Sequence, residues 1–197
     1  MKIGTGNIDK IFTALDRQIG VRGGEPINLV VCGGTALSAL GLVNRTTKDV
    51  DVLAMIEENE KGIEIRALEK FPVGLEESAR VIARDFILPD NWLNLGPAAQ
   101  VASGLPDGLT GRLVKKNYGK HLNIYYIERL DQIFFKLYAA ADRNDYHVQD
   151  LAALNPTGEE IKAAVEWVLT QDVSEGFRMI LKDFLNRNGY EDIAPGI

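Results

Sequence analysis

Residues 30–54 read VVCGGTALSALGLVNRTTKDVDVLA, and the fold turns on how this stretch divides. It opens inside an apolar, β-branched run, INLVVC over residues 27–32, bounded by Glu25-Pro26 before and Gly33-Gly34 after. Such a run predicts a short buried strand. Ala36 to Leu42 predicts a brief helix ending at Gly41. Residues 49–55, DVDVLAM, alternate in their first half, so Val50 and Val52 face one way and Asp49 and Asp51 the other. This spacing yields a strand with two carboxylates on one face.

The chemistry follows from that order. Gly33-Gly34-Thr35 lacks side-chain bulk, so backbone amides can approach an anion, and the next helix aims its N-terminal dipole at the same place. We expect a phosphate cradle there. Asp49 and Asp51 project from one strand face and can hold a hard divalent cation, magnesium, that shares its remaining positions between water and nucleotide phosphates. Phosphoryl and nucleotidyl transfer require that arrangement. Taken singly, a Gly-Gly pair is more often a tight turn and an Asp-x-Asp more often a solvated face. Their succession within 20 residues is far more specific.

Upstream, Asn7 can cap a helix in which Ile8, Ile11, Phe12, Leu15 and Ile19 share one face, with Gly20 as its stop. Downstream, Leu75 to Ile87 has helical periodicity with Pro89 just beyond. Residues 88–110 predict a long loop anchored by Trp92 and Leu93. Two strands, GRLVKKNY and HLNIYYI, join around Gly119, and four helices follow: 129–143, 145–154, 157–171 and 174–188. Thr157 with Glu160 predicts a capping box and Gly189 a terminal glycine. The expected architecture is α/β or α+β: a small mixed sheet flanked by helices over 1–127 and a helical region packed on it over 128–197, or the two as one single domain.

The chain has 197 residues, enough for a core without disulfides or metals, and 46% hydrophobic content excludes disorder. Its 22 basic and 28 acidic residues give a net charge of −6, which argues against a general nucleic-acid coat. Cys32 is the single cysteine, so an intramolecular disulfide and a cysteine-rich metal site are excluded. No apolar run approaches the roughly 18 residues of a membrane span and no leader is evident. A cytoplasmic, unprocessed protein with no membrane partner is the reading; oligomeric state is not legible.

Gly33-Gly34-Thr35-Ala36-Leu37, then Arg45, Thr47, Asp49 and Asp51, resemble the signature of the nucleotidyltransferase superfamily, which includes DNA polymerase beta and kanamycin nucleotidyltransferase. The likeness is nearest to small prokaryotic members, the AbiEii-like toxins and minimal nucleotidyltransferase antitoxins, and to an uncharacterised group with the pattern GGxAL, RxTxDxD. Residues 130–154, LDQIFFKLYAAADRNDYHVQDLAAL, are similar to their C-terminal signature, and PDNWL at 89–93 is similar to the uncharacterised group.

The resemblance implies a polymerase-beta-like fold and a Mg2+-dependent transfer of a nucleoside monophosphate from a nucleoside triphosphate to a hydroxyl. The acceptor would be RNA such as tRNA, a partner protein or a small molecule, and a toxin–antitoxin role is implied. It assigns phosphate contacts to Gly33, Gly34 and Thr35, the metal to Asp49 and Asp51, and charge neutralisation to Lys136. Arg45 and Thr47 hold the loop before the carboxylate strand or touch substrate, and Asp150 matches the last acidic position. His147 stands where relatives often carry a further Asp. The strand HLNIYYI lacks the third carboxylate of many members, leaving Glu128 or Asp131 to reach in. That gap motivates a second reading, a degenerate nucleotide-binding regulatory module.

From the residues alone, Lys136 in IFFKLYAAADR could instead snorkel from a buried helix, and Arg143 with Asp150 could be a helix-to-helix ion pair. Arg112, Lys115, Lys116, Lys120 and His121 form a basic cluster near Tyr118, Tyr125 and Tyr126. Such a cluster binds single-stranded nucleic acid or is simply a solvated face. His121 and His147 lack zinc-pair spacing.

Overall fold

The computed structural model describes residues 2–60, 62–143 and 145–197. They form two compact units, one ending at Glu128 and one beginning at Arg129. No described helix is long and apolar enough to cross a membrane.

The first unit opens with α1 (Ile8–Val21), whose Ile8, Ile11, Phe12, Leu15 and Ile19 are buried at three-and-four spacing. Asn7 occupies the cap position, but its Oδ1 accepts from Gly4 N at 2.9 Å and caps no helical amide. Gly20 does not stop α1. It lies inside the helix, where a Cβ would sit 2.7 Å from the His121 ring, and the left-handed turn comes at Gly23 (φ 68°).

Six described strands make one mixed sheet. At its centre β1 (Ile27–Cys32) pairs antiparallel with β2 (Val50–Asn59) and parallel with β6 (Leu122–Tyr126). β3 (Gly62–Arg66) and β5 (Val114–Asn117) form the flanks in the order β3-β2-β1-β6-β5. β4 (Leu93–Asn94) runs parallel to the start of β2. One sheet face, with Leu29, Val31, Val50, Val52, Leu122 and Ile124, shares a core with α1 and α3 (Val73–Asp85). A bulge between Val30 and Val31 shifts the β1–β2 register and sets Asp51 opposite Cys32.

The β1 boundaries match the expectation, but α2 (Gly33–Ala39) starts at the first glycine, earlier than Ala36. The predicted loop over 88–110 contains β4, the short α4 (Gln100–Ser103) and the start of α5 (Leu109–Arg112). Trp92 anchors it as expected, fully buried with Nε1 donating to Ala79 O at 3.0 Å.

The second unit consists of α6 (Arg129–Arg143), α7 (Tyr146–Ala153), α8 (Gly158–Gln171), α9 (Glu175–Arg187) and a terminal 3-10 turn (Ala194–Gly196). α6 packs on the next three helices, with Phe135 5.2 Å from Trp167 and Tyr138 5.5 Å from Phe177 between ring centroids. The Thr157–Glu160 capping box is formed, and Gly189 takes the left-handed conformation after α9 (φ 82°). Arg129 locks the corner: its guanidinium donates to both Glu160 oxygens, at 2.6 and 3.1 Å, and to Leu154 O and Asn155 O. That pairing holds the Glu160 carboxyl below its ordinary pKa.

Candidate active site

β1 delivers the chain to Gly33 at the sheet end where β2 begins. Gly33 has φ 66°, a conformation that excludes most side chains, and a Cβ there would collide with the Asp51 carboxylate. Gly34 is hemmed in similarly, since its Cβ would lie 3.0 Å from Arg45 Nη2 and 3.3 Å from Thr47 Cβ. The two glycines therefore make room for the side chains of the carboxylate strand and of the loop before it.

A set of short bonds fixes that loop. Thr47 is bridged to Ile3 by two backbone bonds of 2.7 Å, and Ser38 Oγ donates to Arg45 O at 2.9 Å. Thr47 Oγ1 donates to Asp49 Oδ1 at 2.7 Å, orienting the first carboxylate. Thr35, 1% exposed, turns its hydroxyl onto Asp49 O at 2.8 Å, so its side chain ties α2 to the carboxylate strand. α2 has only seven residues, which leaves only a small helix dipole at the glycine turn.

Sequence reasoning missed Asn94. From β4 its Nδ2 donates to Asp51 Oδ1 at 3.2 Å and to Val50 O at 3.3 Å, while its Oδ1 accepts from Gly96 N at 2.8 Å. The adjoining Trp92 O accepts from Val50 N at 2.5 Å. The available signal was a polar residue directly after a buried Trp-Leu pair.

Gly33, Gly34, Thr35, Arg45, Thr47, Asp49 and Asp51 thus meet in one place in the first unit, linked pairwise by the contacts above. Two hard carboxylates beside a glycine turn are a donor type that suits magnesium better than a soft or nitrogen-preferring metal. No group of three or more His, Cys, Asp or Glu placed to hold a metal occurs among the described residues. Of the two acids considered as a third carboxylate, Glu128 follows the β6 end that pairs beside β1, with Tyr126 opposite Val31. Asp131 is fully buried on α6 of the second unit.

Lys136 also belongs to the second unit and does not snorkel. It is 4% exposed, and its Nζ lies 2.8 Å from Asp150 Oδ2, a carboxylate equally buried. Arg143 pairs with Asp142 at 3.5 Å, so the helix-to-helix ion pair of Asp150 is with Lys136. His147 Nδ1 stands 3.3 Å from the same ammonium, and burial, then the Lys136 charge, push its pKa down to about 4.

The basic hairpin does not present a uniform cationic face. Lys115 pairs with Glu58 at 2.7 Å and Lys116 with Asp9 at 2.8 Å. Tyr118 and Tyr126 are buried, their hydroxyls 2.7 Å apart, with Tyr118 OH donating to Asp9 at 2.9 Å. Burial raises both phenol pKa values, which keeps the rings protonated and structural. His121 packs against Gly20, its Nδ1 3.1 Å from Gly24 O.

A sequence model of the family described as "Nucleotidyltransferase of unknown function (DUF6036)" matches residues 10–161. The chain belongs to that family. No curated protein and no solved structure matches it. The family match spans the glycine turn, both carboxylates, Asn94 and the Lys136–Asp150 pair, and it ends inside α8, so α9 lies beyond it. Membership supports the nucleotidyltransferase superfamily and not the AbiEii-like group in particular.

Proposed function

We propose that this nucleotidyltransferase is magnesium-dependent and moves a nucleoside monophosphate from a nucleoside triphosphate to an acceptor hydroxyl, with pyrophosphate leaving. The observation that carries the reading is the seating of the Asp51 carboxylate against Gly33, which supports reading the glycine turn and the carboxylates as one site. Bound magnesium would neutralise triphosphate charge and polarise the reacting phosphorus.

The chain's own groups have distinct tasks. Amides of Gly33, Gly34 and Thr35 bind phosphate oxygens, and Arg45, beside Gly34, adds positive charge at that end. Asp49 and Asp51 hold the metal, oriented by Thr47 at 2.7 Å and Asn94 at 3.2 Å. Lys136, to which the resemblance gives the charge of the leaving group, is salt-bridged to Asp150 within the second unit. The acceptor is an RNA, a protein or a small molecule, and a toxin–antitoxin setting follows from the resemblance alone.

The test is incubation with each radiolabelled nucleoside triphosphate and magnesium, alone and with total RNA or cell extract. The Asp49→Asn, Asp51→Asn double variant is the control. A labelled acceptor that disappears with the variant establishes transfer. Clear nucleotide binding without any labelled acceptor replaces transfer with a regulatory nucleotide-binding module.

A further inference from the structure

Between α3, with the two residues that lead into it, and the segment that carries β4, the first unit holds a cavity of about 300 Å³. Ligand sites span about 300–1,000 Å³, so this volume suits a single small metabolite. The floor is apolar: Ala79 and Leu93 are buried, Leu95 is partly so, and the half-buried Phe71 ring joins them. The rim is charged. Arg80 and Glu76 neutralise each other at 2.6 Å, whereas Lys70 and Asp90, both exposed, make no hydrogen bond or ion pair with another described residue. An apolar floor therefore lies beneath one uncommitted ammonium and one uncommitted carboxylate.

We propose that this cavity binds a small zwitterion with an apolar body, the chemistry of a free α-amino acid such as phenylalanine or leucine. Lys70 takes the ligand's carboxylate, Asp90 takes its ammonium, and the body covers the apolar floor. Other ligands fit less well. A phosphorylated molecule would meet two carboxylates, those of Glu76 and Asp90, and a metal ion would meet Lys70 and Arg80. The cavity lies on the far face of the sheet from the candidate active site. Val50 and its strand partner Leu93 belong to the core shared with α1 and α3, while Asp51 and its partner Asn94 point the other way, Oδ1 and Nδ2 3.2 Å apart. The occupant is therefore an effector and not the acceptor of a transferred group. Its route to the site is short, because Leu93 and Leu95 flank Asn94, which orients Asp51. Binding stands apart from the transferase reading; the effector role rests on it.

Trp92 supplies the readout, since its Nε1 donates to the backbone oxygen of Ala79, a residue of the floor, at 3.0 Å. The chain has two tryptophans, so the full-length, 15N-labelled protein gives two indole N–H signals, which Trp167→Phe assigns. Without nucleotide or magnesium, phenylalanine or leucine should shift the Trp92 indole and the Asn94 side-chain amide saturably, and glycine, which lacks the apolar body, should shift neither. Single-charge analogues separate the two ends of the ligand. Lys70→Gln should weaken phenylalanine and phenylpropanoate about tenfold and leave phenylethylamine unchanged. Asp90→Asn should weaken phenylalanine and phenylethylamine about tenfold and leave phenylpropanoate unchanged. Both side chains are exposed, so neither variant threatens the fold. No saturable Trp92 shift with either amino acid at millimolar concentration overturns the site, and unchanged phenylalanine affinity in both variants overturns the zwitterion. A Trp92 shift that leaves the Asn94 amide in place overturns the effector role. None of these outcomes depends on nucleotide binding or transfer, so failure here leaves the transferase reading standing.

Discussion

The Asp51 carboxylate fills the space in which a side chain at Gly33 would begin. Gly33→Ala therefore has two costs: a left-handed backbone (φ 66°), worth about 1–3 kcal/mol for a non-glycine residue, and a displaced carboxylate. The expected outcome is a folded protein of lowered urea midpoint whose magnesium-dependent nucleotide affinity falls by about tenfold or more, equivalent to ~1.4 kcal/mol. Calorimetric titration beside urea unfolding measures both. Wild-type affinity in a folded variant would detach Gly33 from the site.

Lys136 and Asp150 are each almost fully buried, so removing one leaves the other as an unpaired internal charge. Lys136→Met alone should destabilise by about 3–5 kcal/mol, whereas Lys136→Met with Asp150→Leu should come near wild-type stability. If Lys136 serves the triphosphate, the stable double variant has no transfer activity. Activity in that variant would confine the pair to packing.

The His147 pKa is about 4 in the folded chain against an ordinary 6.5, with burial and Lys136 opposing its charge. Between those values the unfolded chain binds more protons, so stability is full above pH 6.5 and falls as the pH drops toward 4, by roughly 3 kcal/mol at most. Urea unfolding at pH 7 and 4.5, compared with His147→Gln, isolates this contribution. Identical pH slopes for the two proteins would contradict it.

Asp16, 7% exposed, accepts from His121 N at 2.7 Å and Leu122 N at 2.9 Å, and a Cβ on Gly119 would run into its carboxylate. Asp16→Ala should cost about 1–3 kcal/mol by leaving those amides unsatisfied, without altering nucleotide affinity in the folded fraction. Faster hydrogen exchange at His121 and Leu122 is the local readout.

The four C-terminal helices were legible because each carries a long apolar period and punctuation such as the Thr157–Glu160 box. The strand that carries Asp51 was legible from the alternation around Val50 and Val52, although it begins at Val50, so Asp49, expected on the same strand, precedes it. β3 escaped because GIEIR is exposed along most of its length and has no buried face to impose a period. β4 is two residues long, and its pairing with Val50 and Asp51 is a tertiary fact, which also hid Asn94. Gly20 resembles a helix stop in sequence, but the His121 ring dictates its smallness. The partner of Lys136 depends on how α7 folds back on α6, which local pattern does not encode.

Parallel pairing joins Ile27 to Leu122 and Val31 to Tyr126, while β2 pairs with β1 much nearer in sequence. During synthesis the central strand therefore acquires one neighbour early and keeps its other edge open until residue 126 has emerged. Such distant closure slows folding, and an open apolar edge such as INLVVC is a template for pairing with another chain. Chains truncated before residue 122 should accordingly aggregate during translation, so the strand that ends in the glycine turn also sets how soon the nascent protein becomes safe from its neighbours.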